Sequence, residues 1–161
     1  MYLIDTNFLG TITNLYPDDV FPTLWNELEN TLFTDDVFFH AEVDAELRKW
    51  GHPKLQWYLD HVQPKQILQT DEAELEEYER VTLWAEEKQD PAYKQAAVDD
   101  FLNVADSWLV ASGARHGYII VSNETPAPNA IKRIKIPDAA AAFNVECKTL
   151  LEFLRARRIT V

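Results

Sequence analysis

The sequence predicts an α/β domain with a central, mainly parallel sheet flanked by helices, on three observations. Short apolar and β-branched runs recur at residues 2–4, 37–39 and 118–121. Longer stretches with apolar residues at three- and four-residue spacing separate them, the period of amphipathic helices. No internal repeat or linker interrupts the pattern, so a single domain is expected over residues 1–161. Strands alternating with helices favour a parallel sheet with right-handed crossovers.

The elements follow in order. Residues 2–4 form a strand that enters a helix through Asp5 and Thr6. Residues 20–33 read as a helix, with Pro22 where a first turn tolerates it and Leu24, Leu28 and Leu32 on one face. Val37, Phe38 and Phe39 make a second strand, and residues 41–50 a helix stopped by Gly51. Pro53 opens a helix to His61, and a connector follows around Pro64. Residues 71–88 form a helix carrying Leu75, Tyr78 and Leu83 at helical spacing, its opening acids Asp71, Glu72, Glu74, Glu76, Glu77 and Glu79 read as a solvated face favoured by the helix dipole. Pro91 restarts a helix toward Leu102, and another covers residues 105–115. Residues 118–121 are the clearest strand. Two prolines make residues 125–129 a loop, and residues 132–136 alternate charge with Ile as a half-exposed strand or an extended arm. Asp138 is placed to cap a helix start at residues 139–142, before a last strand at 145–148 and a last helix at 150–157.

Composition narrows the function. The 161 residues carry a net charge of −12, and the sequence pI near 4.6 disfavours a binder that grips nucleic acid by bulk charge. The imbalance is local, however: residues 1–130 carry 24 acids and 8 bases, whereas residues 131–161 carry 3 acids and 7 bases, a basic island. Cys147 is alone, which excludes a disulfide framework and thiolate zinc sites. No apolar run approaches the roughly 18 residues of a membrane span, and the N-terminus lacks a signal-peptide pattern, so a cytoplasmic protein is expected. The tryptophans and His40 and His116 read as core or interface residues, and no Gly-rich phosphate loop or serine nucleophile motif is present.

In a parallel sheet, chemistry collects beyond the carboxyl ends of the strands. Those ends carry acids. The first strand stops at Asp5, the second leads into a helix bearing Glu42 and Glu46, and the strand at 118–121 stops at Ser122, Asn123 and Glu124. Asp106 begins a helix among small and apolar residues. Each has an ordinary reading as a cap or a surface acid, but carboxylates gathered without bases repel one another unless a cation neutralises them. An all-oxygen donor set selects Mg2+ or Mn2+.

The chain resembles the PIN-domain ribonucleases, the family that supplies the toxin half of many toxin–antitoxin pairs, and within it a PIN-like subfamily of formerly unknown function. The resemblance rests on Tyr2-Leu3-Ile4-Asp5-Thr6-Asn7, on Ala45-Glu46-Leu47 with Gly51, on residues 105–111, on His116-Gly117 leading to Val121-Ser122-Asn123-Glu124, and on the prolines and Lys135-Ile136-Pro137-Asp138 that follow. It implies a three-layer PIN-like fold and a divalent-metal-dependent endoribonuclease. Asp5, Glu46 and Asp106 match the family's metal-binding acids, Glu46 being favoured over Glu42 by the motif. Glu124 stands where the family usually has Asp, a departure that sets the carboxylate one methylene further from the backbone. Thr6, Asn7 and Ser122 match supporting polar positions, and Asp138 is an alternative outer member of the acidic group. An antitoxin protein and a homodimer are the partners implied.

On this reading, two cations held by Asp5, Glu46, Asp106 and Glu124 position a hydroxide and stabilise the leaving oxygen, giving a 5′-phosphate and a 3′-hydroxyl. Lys132, Arg133 and Lys135 track the RNA backbone, with weak, salt-sensitive binding. A PIN-fold protein that binds RNA or protein without appreciable turnover is the alternative. A phosphatase fits less well because Asn7 replaces the second acid of a D-x-D motif.

Overall fold

The computed structural model describes residues 1–160. Strands β1 (Tyr2–Ile4), β2 (Val37–His40), β3 (Ile67–Leu68), β4 (Ile119–Val121) and β5 (Cys147–Lys148) form one sheet in the order β3-β2-β1-β4-β5, and every pairing is parallel. Helices α1 (Phe8–Leu15), α2 (Pro22–Leu32), α3 (Ala41–Trp50), α4 (Leu55–His61), α5 (Glu72–Glu87), α6 (Gln95–Leu102), α7 (Ala105–His116), α8 (Ile136–Ala142) and α9 (Leu150–Ala156) flank it. The α/β class and parallel sheet expected from the sequence are present.

Chain order explains where a site can form. From β1 the sheet grows to one side through β2 and β3, then β4 returns to pair with the other edge of β1, register Ile4 with Val121. The loops leaving β1 and β4 therefore diverge at a topological switch point, which opens a crevice beyond the strand ends. Helix α7 spans this region, packing on β2 and β4 and against α3, α5, α6 and α8.

Most elements form for the reasons given. Leu24, Leu28 and Leu32 are buried on α2, and Pro22 occupies its first turn. Gly51 ends α3 at φ 65°, a conformation open to glycine at little cost. The Asp71 carboxylate accepts the Glu74 N–H at 2.8 Å and caps α5, and Thr149 with Glu152 forms a capping box on α9.

Five expectations need correction. The two-residue strand β3 lies in what reads as a connector, too short for any periodic signal; it is held by Gln66, whose side-chain amide donates to the Leu32 and Val37 carbonyls. Helix α6 starts at Gln95 rather than Pro91, because the Lys94 N–H is drawn to the Ile131 carbonyl at 2.8 Å. Of the two readings of residues 132–136, the strand is not formed: 132–135 run as an irregular segment with Ile134 buried as an anchor, and Ile136 already begins α8. Asp138 lies inside that helix, so it does not cap it; its carboxylate accepts the Ala127 N–H and fastens the proline loop. On α5, Leu75 and Leu83 are exposed, while Glu74 is buried with Val81 and Ala85.

Glu74 is tolerated there because it meets His40, Nε2 to Oε2 at 2.9 Å. The tryptophans mostly pack as core: Trp25 meets Trp57 edge-on, and Trp108 stacks between His40 and Tyr78. Trp50, 45% exposed, is the exception.

Candidate active site

Asp5 follows β1 and is 2% exposed. Its Oδ2 accepts the Ser122 hydroxyl at 2.9 Å, and its Oδ1 faces the Asn7 N–H at 3.4 Å. Ser122 begins the loop after β4, so one hydrogen bond spans the switch point. The Glu124 N–H turns back onto the same Ser122 oxygen at 3.3 Å.

Glu46 arrives from α3, where the i, i+4 geometry sets it above the exposed Glu42, which takes no part. Its Oε2 accepts the Thr6 hydroxyl at 2.7 Å and its Oε1 the Ala105 N–H at 2.8 Å. Ala105 is the first residue of α7, so Glu46 satisfies one of that helix's open donors and lies at its positive end. Asp106, in the same first turn, completes the group from a fourth direction.

These acids lie near enough to influence one another electrostatically. Burial pushes Asp5 up to about 6; Ser122 and Asn7 oppose the shift, and the charges of Glu124 and Glu46 add to it. Burial likewise pushes Asp106 up to about 7, reinforced by the charges of Asp5, Glu124 and Glu46 and opposed by Arg133. The negative potential reaches Cys147 on β5: burial and then the carboxylates, Glu124 foremost, push its thiol up to about 11. Asp5 and Asp106 sit among acids whose mutual repulsion is incompletely compensated.

Glu124 has found partners of its own. Its Oε2 accepts the Ile136 N–H at 2.6 Å, where α8 begins, and its Oε1 takes the Arg133 guanidinium at 3.0 Å. Arg133, expected on the substrate, is thus seated on an acid of the site. Asp138, in α8, is bonded to the Ala127 N–H of the proline loop and does not line the cleft.

A cleft of about 490 Å³ is lined by Thr6, Asn7, Glu46, Asp106, Lys132 and Arg133 among others, whereas Asp5 and Glu124 are not part of its lining. Lys135 lies outside this lining. Asp100 on α6 borders the cleft as a further acid; its sequence context, an acidic pair on an ordinary amphipathic helix, gives no signal of that position. Buried Ser107 and Ser112 lie inside α7 and offer no nucleophile; the Ser107 hydroxyl donates to the Val104 carbonyl.

The donor set suits a hard divalent cation: it is all oxygen, partly buried and short of positive charge. Hydrogen bonds from Thr6 and Ser122 to the carboxylates are the kind of outer support that orients metal-binding acids. Among the described residues, though, no three His, Cys, Asp or Glu side chains already stand so as to hold one ion together. Glu46 and Glu124 each have both oxygens engaged by protein donors. No helix among the described residues is long and apolar enough to cross a membrane.

A family model described as a domain of unknown function, DUF4411, matches residues 2–161. No curated protein matches the chain. Two solved structures share its fold. The crystal structure of FitAcB from Neisseria gonorrhoeae is 19% identical with a TM-score of 0.53, covering 91% of this chain and 96% of that one. The structure of FitAB bound to an IR36 DNA fragment is 17% identical with a TM-score of 0.58, covering 92% and 94%.

Proposed function

The chain belongs to the DUF4411 family, and we propose that it is a PIN-like, divalent-metal-dependent endoribonuclease acting as the toxin of a toxin–antitoxin pair. The observation that carries this reading is that Glu46 and Asp106 line one cleft while buried Asp5 lies near enough to exchange charge effects with both, Asp5 and Asp106 being driven toward neutrality by burial and by neighbouring carboxylates. The fold shared with the FitAB structures and the motif resemblance support it from outside the site.

Asp5, Glu46, Asp106 and Glu124 are the residues that would hold Mg2+ or Mn2+, and such an ion would supply water activation and charge stabilisation at the phosphate. The rest of the chemistry belongs to the chain. Thr6 and the Ala105 N–H aim Glu46, and Ser122 aims Asp5. Lys132 and Arg133, on the rim, draw the RNA backbone over the acids, and Asn7 lines the same wall as a polar contact for a phosphate. Lys135 extends the basic track beyond the cleft. With so acidic a surface elsewhere, binding is weak and salt-sensitive. An antitoxin protein restrains the activity, and a second copy of the chain pairs with the first.

Cleavage of single-stranded RNA in Mg2+ or Mn2+, against EDTA, tests the proposal. Wild type should cut in metal and fail in EDTA, while Asp5→Asn and Asp106→Asn should each abolish cutting. Activity that survives both substitutions rejects this site. One observation favours a second reading, a PIN-fold protein acting by binding alone: both Glu124 oxygens are already occupied, one of them by Arg133. Metal-independent RNA binding with no turnover would select it.

A further inference from the structure

Arg133 combines an anchored backbone with a side chain largely in solvent. Its backbone is fixed on both sides, by the Ile131 carbonyl accepting the Lys94 N–H and by buried Ile134. Its side chain is 63% exposed, whereas the Glu124 side chain it reaches is 9% exposed. The pair is therefore asymmetric: a nearly buried acid with a fixed Ile136 partner, and a cation free to leave for solvent. Arg133 also lines the cleft beside Asp106, and its charge opposes the rise of the Asp106 carboxyl. It acts as the site's own positive charge.

We infer that Arg133 is a resident counter-ion for Glu124 and competes with a divalent cation for that carboxylate. The inference rests on the metal-site reading above and deepens it. With the guanidinium on Oε1, Glu124 is neutralised from within. A cation on that oxygen would free the Arg133 guanidinium from Glu124 for the cleft it already lines, where its five donors suit a phosphate bidentately. Occupancy at Glu124 and substrate grip by Arg133 are thus linked: a phosphate that engages the guanidinium removes the cation's competitor. The same side chain guards the acid when the cleft is empty and binds substrate when it is filled.

Mn2+ titration by calorimetry at pH 7.5, without RNA, tests this independently of turnover. Arg133→Gln should bind Mn2+ about fivefold more tightly than wild type, the effect of losing a partly exposed ion pair. Arg133→Lys should fall between them. In a Glu124→Gln background, Arg133→Gln should leave the affinity unchanged. Equal affinity in wild type and Arg133→Gln, or the same gain with and without Glu124, overturns the inference while leaving the metal site intact. Absence of Mn2+ binding in every variant overturns the metal-site reading and this inference together.

Discussion

The Ser122 hydroxyl donates to Asp5 Oδ2 at 2.9 Å, joining the ends of β1 and β4 across 117 positions of sequence. This bond favours the charged form of Asp5 and restrains the rise that burial imposes. Ser122→Ala removes it and should carry the Asp5 pKa above 6 by roughly one unit, the scale of a hydrogen bond to a charged group. Carboxyl 13C NMR titration of the metal-free protein reads the shift.

Acidity should stabilise the metal-free protein. Asp5 and Asp106 bind protons more tightly folded than unfolded, so the native state holds more protons between about pH 4 and 7. Stability contributed by these groups is present below their unfolded pKa values and is lost as pH rises through about 6 and 7. Thermal melts in EDTA should show a falling Tm over that window. Asp106→Asn should flatten the fall and raise Tm at pH 8 by on the order of 3 °C. Mn2+ should raise the wild-type Tm at pH 8 and do little at pH 5, where protons already neutralise the acids.

The buried His40–Glu74 pair should behave as a unit. Both side chains are fully inaccessible, and the Glu42 N–H donates to His40 Nδ1, which leaves Nε2 to donate to Glu74. Burial disfavours the Glu74 charge, but the bond from His40 helps hold its carboxyl below the usual range. Glu74→Ala should cost about 1–3 kcal/mol in urea unfolding, because it leaves the buried His40 Nε2–H without its acceptor. Replacing both residues with Leu should cost less than the sum of the single changes.

Lys132 and Lys135 should differ on RNA. Lys132 lines the cleft and Lys135 does not. Anisotropy titrations of a single-stranded RNA between 50 and 200 mM salt should show the log–log slope of Lys132→Ala reduced by about 0.7, with a smaller change for Lys135→Ala.

What could be read from the sequence follows from where each signal lives. Asp5 and Asp106 stand out in the sequence at a strand end and a helix start, whereas Glu46 is singled out from Glu42 only by the motif resemblance. Thr6 and Ser122 likewise come from the motif resemblance. Glu74 was misplaced among solvated acids, since its burial depends on a histidine 34 positions away. Arg133 was legible as a base near the site but not as the partner of Glu124, and Asp138 looked like a cap while serving the Ala127 N–H instead. Strand β3 escaped because two residues have no periodicity. Long-range polar pairing leaves no trace in spacing, and these cases all depend on it or on extreme brevity.

The central claim, that acids from separate elements gather to hold a hard cation, is tested most directly by a crystal soaked in Mn2+ and measured at the manganese edge. The account predicts an anomalous peak bounded by Asp5, Glu46 and Asp106 and lost in Asp106→Asn. A crystal whose manganese sites all lie outside the cleft, or whose cleft stays without a peak at millimolar Mn2+, would contradict it.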